Sequence, residues 1–269
     1  MTAEHDGRES APYDIEAALA GLADPPPADF ALRVLRRVGI PEERYDTWVS
    51  LDTPAGPLYV AHSPTAVTGA LLARLAGGAD EFEARHWRRT RRTAVRAVTP
   101  LRGVRTALRT GRAHRLPVDL AGLDPVERAV LTAVRSIPSG QLRPLGWVAR
   151  EAPAAEAGTV LAALARNPVQ VLIPSHRVTH DDGTPCDADL PEDCGAALRA
   201  AEGIDPVRLE ELAARGAVFL GSDTTRVYCH PTCAHARRIT PPHQRPFRTA
   251  GEAHRAGYRA CRSCRPLTV

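Results

Sequence analysis

The spacing of apolar positions changes character several times along the first third of the chain. Asp14–Leu22 reads as a short helix and Ala28–Val38 as a second, separated by a Pro25-Pro26-Pro27 break that neither could cross. From Tyr45 the period shortens. Thr47–Thr53 and Pro57–His62 are β-type runs on either side of a Pro54-Ala55-Gly56 turn, the pattern of a hairpin with a loop. Residues 80–112 then read as helical and strongly basic, and Arg85, Arg88, Arg89, Arg91, Arg92 and Arg96 offer either a DNA-facing stripe or a solvated helix face. Residues 1–44 are expected to be a helical appendage or linker.

Composition bounds what the chain can be. Its 269 residues have room for about two compact domains and a small module. There is no apolar run of about 18 residues, so no membrane span or membrane partner is expected. The polar, acidic opening Met1-Thr2-Ala3-Glu4-His5-Asp6 is unlike a signal peptide, and a cytoplasmic location is expected. Every basic side chain is Arg and none is Lys. A GC-rich gene would produce that bias, and guanidinium forks also suit phosphate. The net charge of +4 is modest, so its distribution matters more than its sum.

The six cysteines are the most informative residues. Cys229 and Cys233 form a C-x3-C clip, and Cys261 and Cys264 a C-x2-C clip. Such paired clips let four thiolates converge on one tetrahedral Zn²⁺, which points to a reducing compartment and not to a disulfide framework. The roughly 60 residues around them are too few for a stable apolar core, so a metal staple has structural work there. Such a centre is either a plain staple or the holder of a metal-activated thiolate nucleophile.

The residues flanking the clips narrow the choice. Thr224-Thr225-Arg226-Val227-Tyr228-Cys229-His230-Pro231-Thr232-Cys233, followed by Ala256-Gly257-Tyr258-Arg259-Ala260-Cys261-Arg262-Ser263-Cys264, resembles the zinc domain of the Ada family of alkylated-DNA repair proteins across 218–266. The resemblance implies that Cys229 accepts a methyl group from a DNA methylphosphotriester and that all four cysteines bind Zn²⁺. It also implies DNA contact by Thr224, Thr225, Arg226, Arg237, Arg238 and Arg259. From Thr224 onward Glu252 is the only carboxylate among many arginines. The competing reading is a structural zinc knob that grips a partner.

A second resemblance spans 45–205. Val126-Glu127-Arg128-Ala129-Val130-Leu131, Ile137-Pro138-Ser139-Gly140, Arg166-Asn167-Pro168 and Ile173-Pro174-Ser175-His176-Arg177-Val178 resemble the helix-turn-helix domain of guanine O6-alkyl repair transferases. That family extrudes the damaged base and moves its alkyl group to the cysteine of a Pro-Cys-His-Arg-Val motif. Here Ser175 stands at that cysteine, and an alcohol is a far poorer nucleophile for alkyl carbon. The family's arginine that fills the vacated base position becomes Gly158, and its DNA-gripping aromatic becomes Leu145, with Trp147 nearby. The loop 181–194 is acidic, which disfavours phosphate, and contains Cys186 and Cys194 as remote acceptor alternatives. Asn167, His176, Arg177 and Glu202 persist, Arg177 as a DNA contact and Glu202 as the histidine-orienting carboxylate. Ser175-His176-Glu202 formally resembles a hydrolytic triad, a geometry that only the fold can establish.

These readings predict an α+β chain. Its parts are an α/β domain over 45–117, RNase H-like by resemblance, a winged-helix or helix-turn-helix domain over 118–205, and a four-cysteine zinc module over 218–269. The expected function is single-turnover methyl transfer from double-stranded, alkylated DNA to Cys229, with the degenerate central region gripping DNA and repair or transcription factors as further partners. The alternative is a non-catalytic sensor or regulator of alkylated DNA with a structural zinc site.

Overall fold

The computed structural model describes residues 27–153 and 155–266. The expected helix at Asp14–Leu22 and most of the proline break lie outside them. Helix α1 (Phe30–Arg37) precedes a four-stranded sheet of order β3-β2-β1-β4. Strands β1 (Tyr45–Thr53) and β2 (Gly56–His62) form the hairpin read from the sequence, with Thr53 opposite Gly56. β3 (Val67–Leu72) extends the sheet antiparallel to β2.

The region 80–112 is not continuously helical. Helix α2 (Ala79–Thr90) stops at Arg91, whose φ of 57° is left-handed, and the chain enters strand β4 (Thr93–Arg96) before helix α3 (Val104–Thr110). Thr93 and Val95 are β-branched, and the strand pairs parallel with the start of β1. β1 is thus central and buried on both faces: Val49 and Leu51 enter the main core, while Trp48 packs with Phe82 of α2. Asp46 is buried on that second face. It accepts from His86 Nε2, Thr68 Oγ1 and Arg92 Nε, each at 2.8 Å. Burial alone would push its carboxyl up; these bonds outweigh it and bring it down to about 2.

Of the basic residues of this region Arg85, Arg88, Arg89, Arg91 and Arg96 remain exposed, each with a partner within the fold, and only Arg92 is drawn into it. Arg85 and Arg88 pair with Glu81, Arg89 donates to Thr68 O, Arg92 binds Asp46, and Arg91 and Arg96 lie over Trp87 and Trp48.

The following helices are α4 (Pro125–Arg135), α5 (Leu145–Glu151) and α6 (Ala157–Ala165), which pack on one another. Asp124 caps α4 by accepting from Val126 N, with Pro125 in the first turn. Between α4 and α5, the two-residue strand β5 (Arg143–Pro144) runs parallel to β6 (Val178–Thr179), just past Ser175-His176-Arg177. One apolar core runs from Leu32 to Leu198, and backbone bonds from β3 to Pro117 and Pro168 stitch the sheet to the helices. Helices α7 (Glu192–Ala201) and α8 (Pro206–Ala214) lead on to a second sheet of order β10-β8-β7-β9.

That sheet consists of β7 (Phe219–Ser222), β8 (Val227–Cys229), β9 (Gln244–Phe247) and β10 (Arg259–Ala260). Gly221 is required in β7, because a Cβ there would lie 2.6 Å from Phe247 and 2.7 Å from Tyr258. Helix α9 (Ala250–Arg255) opens with a capping box: Thr249 accepts from Glu252 N, and the Glu252 carboxylate accepts from Arg248 N. Glu252, the lone carboxylate of the cysteine segment, is therefore structural.

Candidate functional site

The parallel pairing of β8 with β10 brings the two cysteine clips together. Ala260 lies opposite Tyr228, and Cys261 N donates to Tyr228 O, so Cys229 and Cys261 leave neighbouring strands side by side. Each clip then turns back on itself, Cys233 N donating to His230 O and Arg265 N to Cys261 O. The four ligand atoms lie within 4.8 Å of one another, and all four cysteines are buried. That spacing and donor set fit Zn²⁺, and no disulfide links any of the cysteines among the described residues. With the sulfurs sharing protons, bonds to Cys233 and Cys264 push the Cys229 thiol up, while the same contact pulls Cys233 down. A bound Zn²⁺ would hold all four deprotonated.

The four sulfurs are not equivalent. A pocket of about 520 Å³ opens onto the centre and is lined by Cys229 and Cys261, with Thr224, Thr225, Arg238, Arg259 and Arg262 among its other residues. Cys233 and Cys264 are absent from its walls. Backbone N–H groups of His235 and Ala236 act on Cys233, and that of His230 on Cys264. Cys261 has the backbone of Cys264 and Ser263 and, at 3.4 Å, His235 Nδ1. Cys229 and Cys261 are thus the two sulfurs that face the pocket, and of these Cys261 carries the His235 contact.

Of the residues expected to contact DNA, Thr224, Thr225, Arg238 and Arg259 share this pocket. Arg226 is exposed beside it, over the Tyr258 ring. Arg237 lines a different and larger cleft of about 1190 Å³, together with Arg105, Arg109, Arg112 and Arg135. Arg177 is only 4 % exposed and cannot reach DNA. It donates to Ile137 O, Gly111 O and Glu202, which makes it an internal clamp.

Ser175 lies behind the larger cleft, whose walls include Pro174, His176, Arg177 and Glu202. Ser175 and His176 are each 1 % exposed. His176 Nε2 meets Glu202 at 3.2 Å, but Ser175 Oγ and His176 Nδ1 have no partner among the described residues, so no triad is assembled. Burial keeps His176 neutral, lowering its pKa. Burial also works upward on Glu202, but bonds from His176 and Arg177 outweigh it and bring the carboxyl to about 2.

The acidic loop divides its charges: Asp181, Asp182, Glu192 and Asp193 are exposed, as expected of a loop that disfavours phosphate, while Asp187 and Asp189 turn inward. Asp187 pairs with buried Arg199 at 2.7 Å, and Asp193 with Arg74. Asp189 accepts from Asn167 at 3.0 Å and lies next to Ser175 without a hydrogen bond of ordinary geometry between them. Burial pushes the Asp189 carboxyl up to about 6. Cys194 is buried, and burial raises the Cys186 thiol, so neither has the character of an activated nucleophile.

Leu145 and Trp147 are 4 % exposed and face the interior. Trp147 Nε1 donates to Cys264 O at 3.0 Å, and Leu142 N to Thr232 Oγ1 at 2.7 Å. Arg150 donates to Arg265 O, and Arg265 pairs with Glu151. This seam, and His235 on Cys261, were not expected from the sequence. His235 lies two residues past a clip and its proximity was readable. The seam joins segments about 90 to 120 residues apart and left no local signal.

Comparison with known proteins agrees with this architecture. Residues 125–204 match the DNA binding domain of 6-O-methylguanine DNA methyltransferase, and residues 207–266 the metal binding domain of Ada. The chain carries these two domains in that order. No curated protein matches it significantly. Similar solved structures include a variant of Mycobacterium tuberculosis OGT (22% identity, 59% of this chain and 92% of that one, TM-score 0.45). Another is Mycobacterium tuberculosis OGT in complex with DNA (22%, 58% and 96%, 0.43). The O6-methylguanine-DNA methyltransferase of Pyrococcus kodakaraensis is similar at 18% identity (59% and 99%, 0.46). No described helix is long and apolar enough to cross a membrane.

Proposed function

We propose that this chain removes methyl groups from phosphotriesters in double-stranded DNA by a single, irreversible transfer to Cys229. The observation that carries the reading is the position of Cys229 on the wall of a pocket that also holds Arg238, Arg259 and Arg262. The Cys229 sulfur attacks the methyl carbon. The new S–C bond forms as the C–O bond breaks, and the electron pair stays on oxygen, leaving an ordinary phosphodiester and a thioether. No proton is required. When bound, zinc supplies the deprotonated sulfur at neutral pH. Thr224, Thr225, Arg226, Arg238 and Arg259 hold the flanking phosphates, and Arg237 reaches the backbone from the neighbouring cleft.

The division of the chain into an N-terminal appendage, an RNase H-like domain over 45–117, a winged-helix or helix-turn-helix domain over 118–205 and the zinc module is part of this reading. The central region binds DNA but transfers nothing, because Ser175 replaces a thiol, is buried, and has no activating base.

Mass spectrometry of the zinc-loaded protein after incubation with methylphosphotriester DNA tests the proposal, with unmodified and O6-methylguanine DNA beside it. One added methyl group on Cys229, seen only with the triester, is the expected result. Zinc-loaded protein that binds DNA and gains no mass with any substrate would instead be a non-catalytic sensor.

A further inference from the structure

Among the described residues Arg143 is the most deeply buried arginine, at 2 % exposed, and it belongs to the helical domain. Its guanidinium donates to Leu142 O and to Gln141 Oε1, each at 2.7 Å, and Nε has no partner among the described residues. Neither acceptor is a carboxylate. A buried cation without a counter-anion is strongly destabilising, so an anion must be close. The residues around it show where. Leu142, immediately before it, is bonded to Thr232 beside Cys233. Trp147, whose ring Arg143 faces at 5.6 Å, is bonded to the carbonyl of Cys264. Arg143 is therefore held against both clips by its neighbours; burial works against its charge, and the sulfurs of Cys264, Cys233, Cys261 and Cys229 act the other way.

We propose that Arg143 is the counter-cation of the metal centre, delivered across the seam by the helical domain, so that zinc retention and sulfur reactivity depend on docking of the two domains. Four thiolates around Zn²⁺ leave two net negative charges in a buried place. One fixed guanidinium compensates half of that, and an arginine does so at any working pH because it keeps its proton. Without it the charge-rich centre loses metal more readily, while any sulfur still on zinc holds more electron density and is the better nucleophile. The inference rests on metal binding by the four cysteines and is independent of methyl transfer from DNA.

The test uses the full-length, zinc-loaded chain with Arg143→Gln, Arg143→Lys and, as a control on an exposed helix away from the seam, Arg85→Gln. Two rates are read without DNA: zinc release to a chromogenic chelator, and S-methylation by methyl iodide, in which an S–C bond forms and iodide leaves with its electron pair. Arg143→Gln is expected to release zinc on the order of tenfold faster or more, and its zinc-loaded fraction to methylate faster than the parent. Arg143→Lys should recover most of both effects, and Arg85→Gln should match the parent. Unchanged rates in Arg143→Gln, or a lysine variant indistinguishable from glutamine, would overturn the proposal. Should Arg143→Gln fail to fold, the wild-type Arg143 Nε–H resonance decides. It must shift and exchange faster when zinc is removed, and indifference to the metal would sink the idea.

Discussion

The indole N–H of Trp147 donates to the carbonyl of Cys264 at 3.0 Å, tying the first helix after the Arg143 strand to the last cysteine of the metal centre. A side chain that the sequence placed near the DNA-gripping position is instead a strut between domains. Trp147→Phe keeps most of the buried ring and deletes the one hydrogen bond, leaving a buried carbonyl unsatisfied. A loss of about 1–3 kcal/mol is expected in chemical denaturation of the zinc-loaded protein, and a faster release of zinc should accompany it.

The apolar cluster beneath the metal centre consists of Ala217, Leu220 and Ala236 together with the four cysteines themselves. Removing zinc therefore removes the reason for that cluster to stay shut, since four thiols cannot replace the cross-link. Chelation is expected to make 207–266 sensitive to protease while the segment from Tyr45 to Ala201 stays resistant, as read by limited proteolysis and mass spectrometry. Equal resistance of both halves without metal would show that the aromatic cluster of Phe219, Tyr228, Phe247 and Tyr258 holds the module alone.

How much of this was legible follows from the range of the interactions. The hairpin and the cysteine clips are written in residues close together, and the sequence reading of them agrees with the structure. The break at Arg91 was missed because the arginines on both sides of it masked a strand of four residues. Locally Arg92 and Arg177 read as solvated or DNA-facing, whereas the fold pairs Arg92 with Asp46 and Arg177 with Glu202. Burial of a charged side chain depends on a distant partner, and nothing local announces it. For the same reason Arg143 was invisible until the two domains were seen together.

Ser175 offers a separate test of the division of labour. Its hydroxyl is buried with no hydrogen-bond partner among the described residues, so its removal costs little. Ser175→Ala is expected to change stability by about 1 kcal/mol or less, in the stabilising direction if any, and to leave methylation of Cys229 intact. Cys229→Ser should abolish that methylation. A Ser175→Ala protein that no longer transfers would mean the central region takes part in the chemistry.

Asp189 gives the stability a pH dependence of its own. Burial pushes its carboxyl up to about 6 in the fold, while in the unfolded chain it ionises in the ordinary aspartate range near 4. The folded state therefore binds this proton more tightly. The resulting stability is fully present below about pH 4 and is lost as pH rises through about 6, above which folding carries the burden of a buried anion. Asparagine has no such burden and keeps an oxygen for Asn167, whose amide donates to Asp189 at 3.0 Å. Asp189→Asn is thus expected to be more stable than the parent by about 1–3 kcal/mol at pH 8 and equal to it near pH 4. Urea titrations at the two pH values measure the difference. A variant that is weaker at pH 8 would mean that the carboxylate is held as an anion, by the Asn167 amide and by a proton from Ser175.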